Sequence, residues 1–199
     1  MKAWPVSKDT CARPAAFLDR DGTITLNRAG VYITKPSEIK LYSVAARALK
    51  LLADKGYRLI VLTNQSGIAR GYFTLSTAKK MNLQLRALLA EKGVKLTAAY
   101  MCPHSPGAGC ACRKPRIGLL KEALKDFKTR MSASLMIGDK ACDAGLAINA
   151  GIKPVLVATG QGTELLKSRP ADLKGVTIHS DILAAARSAA NWSEQGKPK

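Results

Sequence analysis

Acidic residues are scarce in this chain: 14 Asp and Glu stand against 32 Lys and Arg, which gives a formal net charge of +18. The basic residues are scattered along the sequence, and no polybasic tail is present. One interpretation is a surface solvated by Lys and Arg. The other is an anionic partner such as a phosphate substrate, nucleic acid or a membrane surface. Because scattered charge is a weaker footprint than a basic stripe, we expect a small anionic substrate rather than nucleic acid or a membrane.

Long apolar runs are also missing, and no stretch approaches the ~18 residues of a membrane span. Residues 1–14 are polar and do not resemble a signal peptide. The five cysteines are an odd number, which indicates a reducing compartment and free thiols or metal ligands rather than disulfides. We therefore expect a cytoplasmic monomer with a single domain over residues 1–199 and a frayed polar tail at 191–199.

Apolar runs alternate with helical patterns along the chain. The predicted strands are 15–19, 58–63, 98–102, 134–138, 154–157 and 176–178, and the predicted helices are 43–55, 75–92, 118–128, 142–150 and 182–190. Ser43 is the expected N-cap of the first helix. This alternation predicts an α/β fold with a mostly parallel sheet and helices on both faces. Ligands bind at the carboxyl ends of the strands in such sheets.

Two carboxylates, Asp19 and Asp21, lie at the end of the first predicted strand. Residues i and i+2 of an extended chain point to the same side, so the two can converge, and Gly22 lets the chain turn away. Two close carboxylates repel unless a cation or a proton lies between them. The alternative is an ordinary Asp-Gly turn that caps a loop or a helix.

Three further motifs follow in chain order, and two of them lie at predicted strand ends. They are the segment TNQSG at residues 63–67, the basic pair Arg113 and Lys114 before a proline, and Gly138-Asp139-Lys140 with Asp143 four residues past Asp139. Asp143 could orient Lys140 or bind a metal-bound water, or it could be a first-turn acid favoured by the helix dipole.

A loop of eleven residues carries four borderline or soft metal ligands, Cys102, His104, Cys110 and Cys112. Three cysteines and one histidine form a common structural zinc set that leaves no position open for water. The intervening residues are small, so a metal could supply the order that the loop lacks. The alternative is three free thiols and a solvated His104. Of the two other cysteines, Cys142 falls in a helix pattern and is expected to be a small core residue.

The four motifs in this order resemble the haloacid dehalogenase-like phosphatase superfamily, over roughly residues 14–160. With the zinc loop and the segment TNQSGIARG at 63–71, the chain is similar to the heptose 1,7-bisphosphate 7-phosphatase family. The histidinol-phosphate phosphatases share that zinc loop. Only about 40 residues separate Asp21 from Thr63, which leaves no room for a cap domain there. The resemblance thus implies an open, Mg²⁺-dependent phosphatase with structural Zn²⁺, acting on a small anionic sugar bisphosphate in nucleotide-activated heptose biosynthesis.

The resemblance also implies a role for each motif residue. Asp19 is the expected nucleophile of an aspartyl-phosphate mechanism, and Asp21 the acid that protonates the leaving oxygen and then activates water. Thr63 and Lys114 would hold the transferring oxygens. The expected Mg²⁺ ligands are Asp19, the Asp21 carbonyl, Asp139 and the backbone of Lys140. The expected substrate contacts are Arg20, Asn27, Arg28, Tyr32, Asn64, Gln65, Ser66, Arg113 and Lys140.

Two other functions use the same residues differently. A polynucleotide 3′-phosphatase of the same superfamily would use the net charge of +18 directly. A non-catalytic, zinc-ordered nucleic-acid-binding protein on a retired phosphatase fold is the second. The intact set of Asp19, Asp21, Lys114 and Asp139 argues against a retired site.

Overall fold

The computed structural model describes residues 1–27, 30–168 and 170–195. Within them, six parallel strands form the main sheet in the order β4-β3-β2-β6-β7-β8. Its strands are β2 (Ala15–Leu18), β3 (Arg58–Asn64), β4 (Ala98–Cys102), β6 (Leu135–Gly138), β7 (Lys153–Val157) and β8 (Thr177–His179). The predicted α/β fold is confirmed.

Helices cover both faces of this sheet. They are α1 (Ala45–Asp54), α2 (Leu75–Ala90), α3 (Gly118–Asp126), α4 (Ala141–Ala150), α5 (Gly162–Ser168) and α6 (Ile182–Gln195). Successive strand residues point to opposite faces. Leu18 therefore packs in the cluster with α1, α2 and α6, whereas Phe17 packs with α3 and α4. Both side chains are fully buried, and such burial contributes ~1.5–3 kcal/mol per side chain.

A second, two-stranded parallel sheet was not predicted. It pairs β1 (Asp9–Arg13) with β5 (Phe127–Thr129), so the helix predicted over 118–128 ends at Asp126. Arg58 ties this small sheet to β3: its guanidinium lies 2.6 Å from the Asp9 carboxylate and donates to the Lys128 carbonyl at 2.7 Å. The β1 sequence has no apolar alternation, and most of its residues are exposed. A buried arginine from another strand anchors β1 instead.

Two helix boundaries also differ from the prediction. Helix α1 begins at Ala45 with Val44 at the N-cap position and no side-chain cap, so the prediction for Ser43 is wrong. Helix α6 continues to Gln195, five residues past the predicted end and into the tail that was expected to fray. The sequence has no glycine or proline in that stretch before Gly196. Residues 196–199 lie outside the described part of the chain.

The site lies where the chain changes direction along the sheet. From β2 the chain adds β3 and β4 on one side, whereas β6, β7 and β8 build the other side. The carboxyl ends of β2, β3 and β6 therefore meet at a topological switch point, the usual place for a ligand in an open α/β sheet. No helix among the described residues is long and apolar enough to cross a membrane.

Candidate active site

Asp19 lies at the floor of the cleft, directly after β2. Its backbone N–H donates to the Ile137 carbonyl on β6 at 2.9 Å, which fixes the residue against the neighbouring strand. Its side chain is 4% exposed and lies 2.7 Å from the Lys114 ammonium and 3.4 Å from that of Lys140. Burial opposes ionisation of this carboxyl, but the two ammonium groups outweigh burial and hold the pKa of Asp19 below its usual range. Asp19 is therefore a carboxylate at neutral pH.

Lys114 is held by three acceptors in the same buried cluster. Its ammonium lies 2.7 Å from Asp19, 2.6 Å from Asp143 and 2.7 Å from the Leu62 carbonyl. Burial favours the neutral amine, but the two carboxylates outweigh it and raise the pKa of Lys114. The Asn64 side chain both accepts from the Lys114 backbone N–H at 3.1 Å and donates to its carbonyl at 3.3 Å. Asn64 therefore positions Lys114 as well as lining the cleft.

The Asp143 carboxylate pairs with the ammonium of Lys114 and with the backbone, not the ammonium, of Lys140. Its Oδ1 pairs with the Lys114 ammonium, whereas its Oδ2 accepts the backbone N–H of Lys140 at 3.1 Å at the start of α4. Of the predicted roles, the first-turn position is confirmed, and Asp143 contacts Lys140 through the backbone N–H of that residue. The close approach of Asp143 to β6 needs Gly138, because a Cβ there would clash with the Asp143 carboxyl group.

Three buried carboxylates, Asp19, Asp139 and Asp143, place oxygens within 4.8 Å of one another. Burial, with the charges of the other two, raises the pKa of Asp139 to about 7. Asp139 is held by the backbone N–H of Gln161 at 2.8 Å, and a Cβ at Gly22 would clash with it. Gly22 also has a φ of +93°, which glycine adopts without strain. This crowding of acidic oxygens fits a hard dication such as Mg²⁺.

Asp21 lines the cleft but its carboxylate faces four donors. Arg20 donates from Nε and Nη2 at 2.8 Å each, Gln65 donates at 2.9 Å and Thr25 at 3.2 Å. Burial raises the pKa of the Asp21 carboxyl, but the charge and hydrogen bonds of Arg20 outweigh it, so the pKa lies below its usual range. The carboxylate is therefore held in its ionised form.

The Arg20 side chain does not line the cleft, and the predicted contact of Arg20 with substrate stays a prediction. It is 0% exposed, and beyond Asp21 its guanidinium donates to the Asn82 carbonyl oxygen on α2 at 3.4 Å. Residue 20 points to the side opposite Asp19 and Asp21, as alternation along an extended segment requires. The same alternation could have excluded Arg20 from the cleft at the outset.

The remaining wall of the cleft, which has a volume of about 270 Å³, comes from β3 and from residues 30–33. Gln65 donates to the Thr63 hydroxyl at 2.8 Å, which links that hydroxyl to Asp21. The hydroxyls of Tyr32 and Ser66 are 3.1 Å apart, and the Tyr32 ring packs edge-on against Tyr72 at 5.0 Å. Of the other predicted contacts, Asn27 lines the cleft, and Arg28 lies outside the described residues.

The predicted zinc ligands come together in one cluster. The Cys112 sulfur lies 3.2 Å from Cys102, 3.5 Å from Cys110 and 3.2 Å from His104 Nδ1. Tetrahedral zinc with Zn–S bonds of ~2.3 Å would space its sulfurs by about 3.8 Å, so the donor set fits zinc. Burial and the neighbouring sulfurs raise the pKa of Cys112 to about 12. All five cysteines are free of disulfide bonds.

Arg113 connects this cluster to the cleft. It follows Cys112, lines the cleft and donates to the His104 carbonyl at 3.3 Å. The loop thus presents a guanidinium at the rim, while the next residue, Lys114, reaches the floor.

Tyr32 was predicted, but sequence reasoning missed the other lining residues: Gly30, Val31, Ile33, Gln161 and Cys142. Cys142 is half-buried and lines the cleft, so its prediction as a core residue is wrong. Gln161 follows β7, and because β7 was predicted, the shared edge of strand ends could have identified it. Gly30, Val31 and Ile33 carry no pattern that distinguishes them from an ordinary loop.

Comparisons with known proteins agree with this geometry. Residues 111–188 match the family model described as HAD-hyrolase-like. The chain is 44% identical over 146 residues to a probable D-glycero-D-manno-heptose-1,7-bisphosphate 7-phosphatase of Thermoplasma acidophilum, covering 73% of this chain and 90% of that one. A D-glycero-beta-D-manno-heptose-1,7-bisphosphate 7-phosphatase of Pseudomonas putida is 38% identical over 175 residues, or 86% and 96% of the two chains.

A solved structure shares both the fold and part of the sequence. It is D,D-heptose 1,7-bisphosphate phosphatase from B. bronchiseptica complexed with magnesium and phosphate, with a TM-score of 0.82 and 30% identity. The match covers 90% of this chain and 99% of that one. The likeness therefore extends over most of both chains.

Proposed function

Because the chain belongs to the heptose 1,7-bisphosphate 7-phosphatase family and is a phosphoric monoester hydrolase, we propose that it removes the 7-phosphate of D-glycero-D-manno-heptose 1,7-bisphosphate. One observation carries this proposal: two neighbouring cations, Lys114 and Arg113, lie at the floor and the rim of one cleft. Lys114 is placed to meet the phosphate that is transferred and Arg113 to meet a second phosphate.

In the first step the Asp19 carboxylate attacks phosphorus. The bond from phosphorus to O7 of the sugar breaks, an aspartyl phosphate forms, and O7 takes a proton from Asp21. In the second step Asp21 removes a proton from water as the water oxygen attacks phosphorus, which releases inorganic phosphate and regenerates Asp19. A carboxylate nucleophile thus splits one slow hydrolysis into two faster steps.

Asp21 needs to exchange contacts for this work. In the structure all four of its acceptor positions face Arg20, Gln65 and Thr25. A neutral carboxyl group has one donor and cannot satisfy four donors, so protonation of Asp21 weakens its hold on Arg20. We propose that Asp21 turns from Arg20 toward the leaving oxygen as it takes up a proton. It returns to Arg20 when ionised.

Three groups stabilise the oxygens of the transferring phosphoryl group. Lys114 supplies a fixed positive charge beside Asp19, and Thr63 supplies a hydroxyl that Gln65 orients at 2.8 Å. Lys140 borders the same floor, with its side chain 28% exposed to the cleft. Lys114 and Thr63 are already in place when charge develops, and such donors lower the barrier because they need no reorganisation.

The acidic cluster supports a Mg²⁺ cofactor, with Asp19, Asp139, the Asp21 carbonyl and the Lys140 backbone as the proposed ligands. When bound, Mg²⁺ would neutralise charge on the phosphoryl oxygens. Zn²⁺ in the loop of Cys102, His104, Cys110 and Cys112 is proposed to be structural, because four protein ligands leave no coordination position open.

The sugar and its second phosphate are proposed to contact the rim of the cleft. Arg113 offers a planar fork that binds an oxyanion bidentately. Asn27, Tyr32 and Ser66 offer amide and hydroxyl groups for the sugar. The product, a heptose 1-phosphate, suits a nucleotidyltransferase step in nucleotide-activated heptose synthesis. We further propose that the enzyme acts in the cytoplasm as a monomer, with residues 1–199 as one domain.

The test is a phosphate-release screen over three substrates: the heptose bisphosphate, histidinol phosphate and a 3′-phosphorylated oligonucleotide. The proposal predicts the highest kcat/KM for the bisphosphate, at least about tenfold above the others, because only it engages Arg113 with a charge-assisted pair. Preference for histidinol phosphate or for the oligonucleotide would assign the site to a different phosphatase. A salt titration of DNA binding separates a nucleic-acid-binding protein from a sugar phosphatase.

A further inference from the structure

The Lys140 ammonium lies among three oxygens of three different groups. It is 3.4 Å from Asp19 Oδ2, 3.2 Å from the Asp21 carbonyl and 3.2 Å from Asp139 Oδ1. These are three of the groups proposed above as Mg²⁺ ligands.

The three oxygens cannot serve both cations in this arrangement. Mg²⁺ holds its oxygen ligands at ~2.0–2.1 Å in near-octahedral geometry, which requires the centre of the oxygen set. The Lys140 ammonium lies on the side of the three oxygens where Mg²⁺ would bind. The ammonium and Mg²⁺ would repel each other at such a short distance. The side chains of Asp19 and Asp139 are only 4% and 1% exposed, whereas that of Lys140 is 28% exposed. Lys140 is therefore the group with room to move outward.

We propose that Lys140 is an internal competitor for the Mg²⁺ site, whose ammonium leaves the three oxygens when the ion binds and turns into the cleft. The inference rests on the proposed function for the identity of the metal ligands. It adds a coupling between Mg²⁺ and the phosphate substrate, the two ligands that bind at the site. Metal binding releases a cation that can then pair with an incoming phosphate, so each favours the other by thermodynamic linkage.

The first test measures binding of Mg²⁺, and of Mn²⁺ as a spectroscopic probe, to the full chain without substrate. Lys140→Met removes the competitor and should tighten binding about tenfold, within the usual range of linked binding effects. Arg113→Met is the matched control, because it removes one positive charge from the same cleft without touching the three oxygens. It should change affinity less than threefold. No tightening in Lys140→Met, or equal tightening in both variants, would overturn the proposal.

The second test uses the wild-type chain and follows the rate at which an acylating reagent modifies Lys140, by mass spectrometry. Saturating Mg²⁺ should raise that rate severalfold, because the amine leaves its three acceptors. Buried Lys114 serves as the internal reference. An unchanged or lower rate at Lys140 overturns the proposal. Because both tests omit the sugar substrate, they can fail while heptose bisphosphate is still hydrolysed, and the converse also holds.

Discussion

Asp19 and Lys114 are 95 positions apart in the chain, yet the carboxylate of one lies 2.7 Å from the ammonium of the other. Both are almost completely buried. This contact exists because β2 and β3 end side by side, which brings Asp19 and the Leu62 carbonyl to the same ammonium. The pair gives the site an ionised carboxylate and a fixed cation at one point. The Asp19–Lys114 pair is therefore central to the proposed mechanism.

Arg113 should matter only for substrates with two phosphates. Arg113→Ala should lower kcat/KM for the bisphosphate by about tenfold to a few hundredfold, the value of a lost charge-assisted pair. It should leave small monophosphates almost unaffected. Lys114→Ala is the matched control, because it should lower turnover of every substrate. Equal losses on both substrate classes in Arg113→Ala would assign Arg113 to the reaction centre or to the loop instead.

Arg20 should influence catalysis without touching the substrate, because it orients Asp21. Arg20→Met should reduce kcat by about tenfold or more, as part of the ~10²–10⁴-fold that a positioned acid–base group contributes. Arg58→Met is the matched control, since Arg58 is also a buried arginine paired with an aspartate and lies away from the cleft. Arg58→Met should lower stability and leave kcat unchanged. An unchanged kcat in Arg20→Met would remove the orienting role.

The loop cluster should hold one metal ion. Elemental analysis of protein purified without chelator should give about one zinc per chain, as a Cys3His site requires. Cys110→Ser should lose that zinc, whereas Cys11→Ser should keep it, because Cys11 is exposed and outside the cluster. Mild EDTA should stop turnover reversibly by removing Mg²⁺ while zinc remains. Wild-type protein without zinc contradicts the metal-loop interpretation.

Asp126 should stabilise the fold in a pH-dependent way. Its carboxylate accepts from the Tyr100 hydroxyl at 2.5 Å and from Lys2 at 2.8 Å. Burial raises its pKa, but these hydrogen bonds outweigh burial and place the pKa below the ordinary 3.8. The carboxylate's contribution is therefore present above pH 3.8 and lost as pH falls through the lower folded-state value.

Asp126→Asn should accordingly reduce the free energy of unfolding by about 1–3 kcal/mol at pH 7, with a smaller difference in acid. Denaturant titrations at several pH values measure it. Asp54→Asn is the control, because Asp54 is exposed and its pair with Lys50 is long, at 3.5 Å, so no measurable change is expected. A difference for Asp126→Asn that grows as pH falls would contradict the assigned shift.

The sequence predicted the buried parts of the fold well, because most of the main-sheet strands are short apolar runs between turn signals. The polar residues after three of those runs converge because parallel strands end at one edge. Strand β1 was missed for the opposite reason: four of its five residues are exposed, and its partner β5 lies more than a hundred positions away. A local sequence pattern does not reveal a strand that is anchored by an arginine from a distant part of the chain.

Side-chain direction was the least predictable part of the site. Arg20 lies between two site residues in the sequence but points into the protein, toward Asn82. Asp143 was expected near Lys140 and accepts its backbone N–H, but its side chain also pairs with Lys114, which lies in a different loop. The direction of Arg20 follows from alternation along the chain, whereas the contact of Asp143 depends on which neighbour supplies the opposite charge inside the core. The sequence identifies the charged residues but does not give the distances between them.

The most direct test follows hydrolysis of D-glycero-D-manno-heptose 1,7-bisphosphate by ³¹P NMR with wild-type protein and with Asp19→Asn. The wild-type spectrum should lose the C7 phosphate signal, gain inorganic phosphate and keep the C1 phosphate signal. Asp19→Asn should unfold at a similar temperature and show no turnover, because an amide oxygen is not a competent nucleophile. Loss of the C1 phosphate first, or turnover by Asp19→Asn above a few per cent of wild type, would contradict the account.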